Sequence, residues 1–317
     1  MLGGGCDEKT IVGFIISLLI VAGAVYASTN QPRMELSKLS IERVKGFHST
    51  SYFVLNTKMP KVPKKMMVYK CIDPDVKLED VLLIAKRFGM KGQPKKVFDE
   101  FILTDGKYHL EINTKSGRIV YTDVSRWMVG NDVDKPSNLP SEKEAIDIAR
   151  SYLANRGLMP EDAILRNVTH PKVVAMDKEG RIISIGFEDI KVSFMRKING
   201  FPVVGAGSKL DVEIGGNGDV ISVYKVWRGY KPYKEFSIIT PEQALDELKK
   251  IGVFTGIKGT DEAMIDEIYL GYYAKSASEN QVFLQPVYVF EGYVKGKHRT
   301  EKFKQYVPAI SEIGGIQ

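Results

Sequence analysis

The order of apolar and polar positions splits the chain into one long apolar run and a longer stretch of short repeating elements. Ile11–Ala27 (IVGFIISLLIVAGAVYA) holds no charge, and nothing after it is as long or as apolar. As a helix rising about 1.5 Å per residue it spans roughly 26 Å, enough for a slightly thinned hydrocarbon core. Ile11, Phe14, Ile15, Leu18, Leu19, Val21 and Val25 are its expected lipid-facing side chains. Residues 1–30 therefore read as a membrane anchor. The alternative is a signal cut after Ala27, where Val25-Tyr26-Ala27 would supply the cleavage site.

Residues 31–63 read as a basic stalk, polar and punctuated by proline. Beyond it a short amphipathic helix followed by alternating strands occurs three times. In residues 64–130, Leu78, Val81, Leu82, Ala85 and Phe88 share one helical face, and Gly89 ends the helix. Asp105-Gly106 then joins two alternating strands as a hairpin. In residues 131–235, Ser141-Glu-Lys-Glu144 forms a capping box ahead of an Ala145/Ala149/Leu153 stripe. In residues 236–317, Thr240-Pro241 caps a helix that Gly252 closes, and Met264–Ala274 and Gln281–Val294 alternate as strands. The fold class this predicts is α+β: an N-terminal transmembrane helix followed by tandem helix-plus-antiparallel-sheet units.

Composition agrees with a globular body, at 44% hydrophobic and 26% charged residues. The net charge of +6 is concentrated in Lys58, Lys61, Lys64, Lys65 and Lys70. Such a stretch after an anchor meets anionic lipid headgroups or is a solvated linker, and no nucleic-acid partner is expected. Two cysteines, Cys6 and Cys71, make no disulfide framework.

The sequence carries no recognisable catalytic constellation. His48, His109, His170 and His298 are scattered, without a second ligand at metal spacing. There is no Gly-x-Ser-x-Gly elbow and no phosphate loop. No catalytic, cofactor-binding or metal residue is assigned, and the expectation is a protein that is not an enzyme. Aromatic residues crowd the last unit, where they serve as sheet core or as a partner face. Tyr272, Tyr288, Phe290 and Tyr293 are the candidate partner surface, and Asn167-Val-Thr169 is a candidate glycosylation site.

Three stretches resemble known families. Ser141–Leu153 (SEKEAIDIARSYL) resembles the helix of PepSY domains, and Lys197–Tyr224 resembles the propeptide domains of thermolysin-type peptidases. Leu284–Gly292 with Tyr306–Ala309 is similar to membrane-anchored regulators of the YycH/YycI type. The resemblance implies a single-pass cell-membrane protein whose extracytoplasmic units bind another protein, restraining a peptidase or a membrane sensor. It departs from the peptidase precursors in having no His-Glu-x-x-His. The basic flank Arg33, Lys38, Arg43 and Lys45 opposes that placement, since positive charge favours the cytoplasmic side. Two other roles stay open: a structural subunit of an envelope or membrane complex, and a small-ligand binder with an inter-domain pocket.

Overall fold

A computed structural model describes Leu36, Leu39, Ile41 and residues 47–49, 52–126, 138–176, 178–187, 189–257, 262–296 and 299–311. The chain divides into two compact units, Met1–Lys38 and Leu39–Gln317, and the elements below belong to the second.

Eight strands form the first large sheet. Their spatial order is β4 (Lys95–Val97), β5 (Glu100–Asp105), β6 (Tyr108–Asn113), β7 (Ile119–Asp123), β15 (Val220–Trp227), β14 (Ser208–Ile214), β11 (Ile190–Met195) and β8 (Ile164–Thr169). All neighbours run antiparallel. The expected hairpin is present, with Gly106 at φ 58° between β5 and β6. Helices α1 (Leu78–Arg87) and α2 (Glu142–Asn155) cover one face. Val81, Ala85 and Phe88 beside α2's Ala145, Ala149 and Leu153 meet Leu110, Ile112, Val192, Phe194, Leu210 and Val212. The predicted capping box starts α2: Ser141 Oγ accepts from the Glu144 N–H, and the Glu144 carboxylate accepts from the Ser141 N–H at 2.8 Å.

The second sheet is built on a long antiparallel pair, β18 (Glu262–Ala274) and β19 (Phe283–Lys295). The free edge of β18 takes β2 (Phe53–Leu55) at one end and β13 (Phe201–Gly205) at the other, both parallel, and β12 (Lys197–Ile198) adds to β13. The free edge of β19 takes β20 (Thr300–Pro308) along most of its length and β3 (Lys65–Ile72) at its start. Strand β16 (Gly229–Ser237) pairs with β3 and ends the order. Helix α3 (Pro241–Ile251), capped by Thr240 and Gln243, lays Ala244, Leu245 and Leu248 on one face of this sheet. Two small ribbons complete the described elements: β1 (Phe47–Ser49) with β17 (Val253–Thr255), and β9 (Lys172–Met176) with β10 (Ile182–Phe187).

These findings correct the expected fold class. The described chain is mostly β, with two large sheets and three α-helices, rather than α+β in tandem helix-plus-sheet units. The three helices form where their caps and stripes predict them. What differs is the pairing, because β7 of the first expected unit lies beside β15 of the second. Local periodicity identifies a strand but not its neighbour, and the pairings of β7 with β15, β8 with β11 and β3 with β16 join strands distant in sequence.

The expectation of a membrane-anchored, single-pass extracytoplasmic protein is also corrected. Among the described residues no helix is long and apolar enough to cross a membrane. The run Ile11–Ala27, with Ile11, Phe14, Ile15, Leu18, Leu19, Val21 and Val25, lies outside the described residues.

Candidate binding edge

Three of the four expected partner-surface aromatics belong to the core. Tyr272 is 1% exposed, and Tyr288 and Phe290 are fully buried, all packed in the cluster beneath α3. Tyr272 meets the edge of Tyr69, ring centroids 5.4 Å apart. Tyr288 donates its hydroxyl to the Ile239 carbonyl at 2.7 Å, and burial pushes its phenol up to about 12. Tyr293 is half-buried and donates to Met264 Sδ at 2.8 Å. Buried rings present no surface to a partner, so Tyr272, Tyr288 and Phe290 are corrected to core residues.

A β-bulge explains the placement in β18. Its register steps from Ile265↔Gly292 to Glu267↔Glu291, so Asp266 is an extra residue. Ala263 and Ile265 face the core before the bulge, and Ile268, Leu270, Tyr272 and Ala274 face it afterwards. One inserted residue thus exchanges the two faces of a strand.

Tyr269 and Tyr273 consequently stand on the opposite face, with Val287, Val289 and Tyr306. The Tyr269 hydroxyl donates to Glu291 Oε1 at 2.5 Å, and Lys304 Nζ donates to the same oxygen at 2.7 Å. Burial raises the Tyr269 phenol, and its bond to Glu291 raises it further. Burial acts to raise the Glu291 carboxyl too, but the bonds from Lys304 and Tyr269 outweigh it and the group lies below its ordinary value. This face is a satisfied polar network on an aromatic floor, with Leu39 and Ile41 packed against it.

The end of the first sheet differs. Strand β8 pairs only with β11, so the backbone groups of its outer side have no ladder partner among the described residues. Ile164 and Leu165 are 40% and 36% exposed, Arg166, Asn167 and Thr169 are exposed, and only Val168 leans into the core. The register passes from Asn167↔Ser193 to Leu165↔Phe194, leaving Arg166 unmatched at a bulge. Its charge reaches the second sheet. Burial, with Tyr273 and Glu291, pushes the Tyr306 phenol up to about 12, and Arg166 pulls the other way. Asn167, the candidate glycosylation residue, sits mid-strand on this edge.

Other edges carry devices that discourage pairing. Strand β4 is three residues long, contains Lys95 and Lys96, and runs into Phe98 at φ 51°. Strand β16 contains Pro232, Lys231 and Lys234. Strand β20 carries Lys302 and Lys304 and ends in Pro308, and β12 has two residues. The alternation predicts one strand over roughly Ala163–Ala175, which the structure divides into β8 and β9, and carries no signal that β8 lies at a sheet end.

Electrostatic features elsewhere have structural partners. Arg196 is buried against Asp162 (Nε to Oδ2, 2.8 Å) and lies over the rings of Trp227 and Tyr230. Lys225 Nζ donates to the Leu158 carbonyl at 2.8 Å; burial first, then Arg87 and Arg196, push its amine down to about 8. His109 of β6 bonds Thr104 of the paired β5 and Glu111 of its own strand. Among the described residues no three His, Cys, Asp or Glu side chains gather where they could hold a metal ion.

No family model matches the chain, and no curated protein matches it. Among solved structures, an uncharacterized protein from Eubacterium rectale is similar over 84% of this chain and 90% of its own. The two share 12% sequence identity, with a TM-score of 0.43.

Proposed function

We propose that the protein is a non-enzymatic protein-binding module that takes an extended segment of a partner as an added strand on β8. The observation that carries this reading is the contrast between edges: β8 lacks the proline, the paired lysines and the extreme shortness that blunt the others. An open edge supplies main-chain hydrogen bonds in register, while alternate side chains supply selectivity. Ile164 and Leu165 offer apolar contact there, and Arg166 offers a charge. The reading keeps the protein-binding role that the family resemblance implied.

Extended peptides selected from a displayed library against the full chain test it. Bound peptides are expected to slow amide hydrogen exchange within residues 164–169. Leu165→Lys, which adds an edge lysine, is expected to weaken them by about tenfold. Val97→Lys on β4 is expected to leave them unchanged. Protection confined to other segments, or peptides indifferent to Leu165→Lys, would sink the proposal.

A further inference from the structure

The fold gathers the chain's excess positive charge on one ribbon. Lys58, Lys61, Lys64, Lys65 and Lys70 lie in or just before β3, and antiparallel pairing sets Lys231 of β16 opposite Lys70 and Lys234 opposite Val68. Residues 58–70 and 229–237 together hold seven lysines and one glutamate, a net +6 that equals the charge of the whole chain. The remainder of the protein is balanced.

The lysines are also poorly compensated. Lys70 and Lys231 are direct cross-strand partners, which sets their side chains on one face about 5 Å apart at Cβ. Like charges directly opposite oppose the ladder that holds them. Among the described residues no ion pair joins any of the seven to a carboxylate, although ion pairs are plentiful elsewhere. Lys234 lies over the Phe236 ring, 5.7 Å from its centroid.

We infer that the β3–β16 ribbon is a docking surface for an acidic, extended polypeptide segment, a site separate from the β8 edge. Side chains on one face of a strand recur every second residue, about 7 Å apart, and carboxylates on alternate residues of an extended segment recur at the same interval. Contact is made through the face that carries Lys70, Lys231 and Lys234, Lys65 standing on the other face of β3, since Pro232 obstructs strand pairing at the outer edge of β16. Polypeptide is favoured over nucleic acid by the side chains present. Every cation is lysine, with no arginine fork to clasp phosphate. Phe283 is buried and Phe236 half-buried, leaving Tyr233 as the exposed ring where a stacking surface needs several.

The test uses the full chain and a nine-residue peptide, the length of β16, that alternates glutamate with threonine. Its counterpart has glutamine for glutamate. The acidic peptide is expected to bind at least about tenfold more tightly than the neutral one, and to weaken as salt screens the charges. Lys70→Gln with Lys231→Gln is expected to cost about tenfold in affinity. The double variant should melt no lower than the parent, because a repulsive pair is removed. Lys95→Gln with Lys96→Gln, the same charge change on β4, is expected to leave affinity unchanged. Failure to bind the acidic peptide overturns the inference. So does an equal loss in the control pair, or tighter binding to a single-stranded oligonucleotide or to phosphatidylserine vesicles.

Discussion

The guanidinium of Arg228, just beyond β15, donates to the carbonyl of Lys275 at 2.9 Å. It also donates to the carbonyls of Ser276 and Glu279, at 2.9 and 3.1 Å. One buried side chain, where the chain passes from the first sheet to the second, thus holds the turn that joins the second sheet's two longest strands. Carbonyls gathered in this way would otherwise need water.

Arg228→Met removes all three donors and is expected to lower stability by about 2–4 kcal/mol, as for other buried charged hydrogen-bond networks. Arg228→Lys should recover little, because an ammonium lacks the planar fork that reaches three carbonyls. Chemical denaturation measures both, and an unchanged midpoint for Arg228→Met would contradict the role.

Gly207 lies against the same carbonyl. A Cβ there would come within 1.7 Å of the Lys275 oxygen and 2.7 Å of Arg228 Nη1. Gly207→Ala must therefore displace backbone and is expected to destabilise more than Arg228→Met. Gly106→Ala is the comparison, since that position at φ 58° has open space around it. Its cost should stay near the conformational price of about 1 kcal/mol. Melting temperatures of the two variants decide the order.

The β18 bulge predicts that its extra residue can be substituted or removed, while a deletion beyond it cannot be absorbed. Glu267→Ala changes an exposed side chain and should move stability by no more than about 0.5 kcal/mol. Deleting Glu267 removes the extra residue: Asp266 then pairs with Glu291, and Ile265, Ile268, Leu270 and Tyr272 keep the core face in an unbroken alternation. The deleted chain is expected to keep its cooperative melting transition, and deletion of Leu270, past the bulge, to lose it by turning Tyr273 to the core in place of Tyr272; the opposite order would show that the bulge does not set the faces.

Lys225 should make stability depend on pH. Its folded amine titrates at about 8 instead of 10.5, so between those values the unfolded chain binds more protons than the folded one. Stability from this group accordingly rises as pH rises from about 8 to 10.5, and below 8 its buried charge is a constant cost. Lys225→Met should flatten that rise, by on the order of 2 kcal/mol. Urea denaturation at pH 7.5, 9 and 10 compares the two; parallel curves would rule the effect out.

Much of the local structure is legible in the residues alone. The three helix starts carry their own hydrogen-bonding partners: Ser141 with Glu144, Thr240 with Gln243, and Asp80 accepting from the Lys77 N–H. The Asp105-Gly106 turn needs only its two residues. Strand β16 escapes because Pro232 and the lysines break the alternation that marks a strand, while β3 supplies the pairing that holds it. The candidate sites escape for a related reason. Nothing in ILRNVT says that Ile164–Thr169 ends a sheet, and nothing near Lys70 announces Lys231, more than 150 residues later.

By itself, then, the sequence determined the capped helices, the hairpin turn and the alternation of most strands, because each rests on contacts within a few residues. Only the tertiary structure decided which strands are neighbours, which face of β18 is the core, which edge stays open, and where the lysines converge. Those outcomes depend on long-range pairing and on a one-residue bulge. Alternating apolar residues read equally well on either face until a neighbouring strand and a covering helix select one.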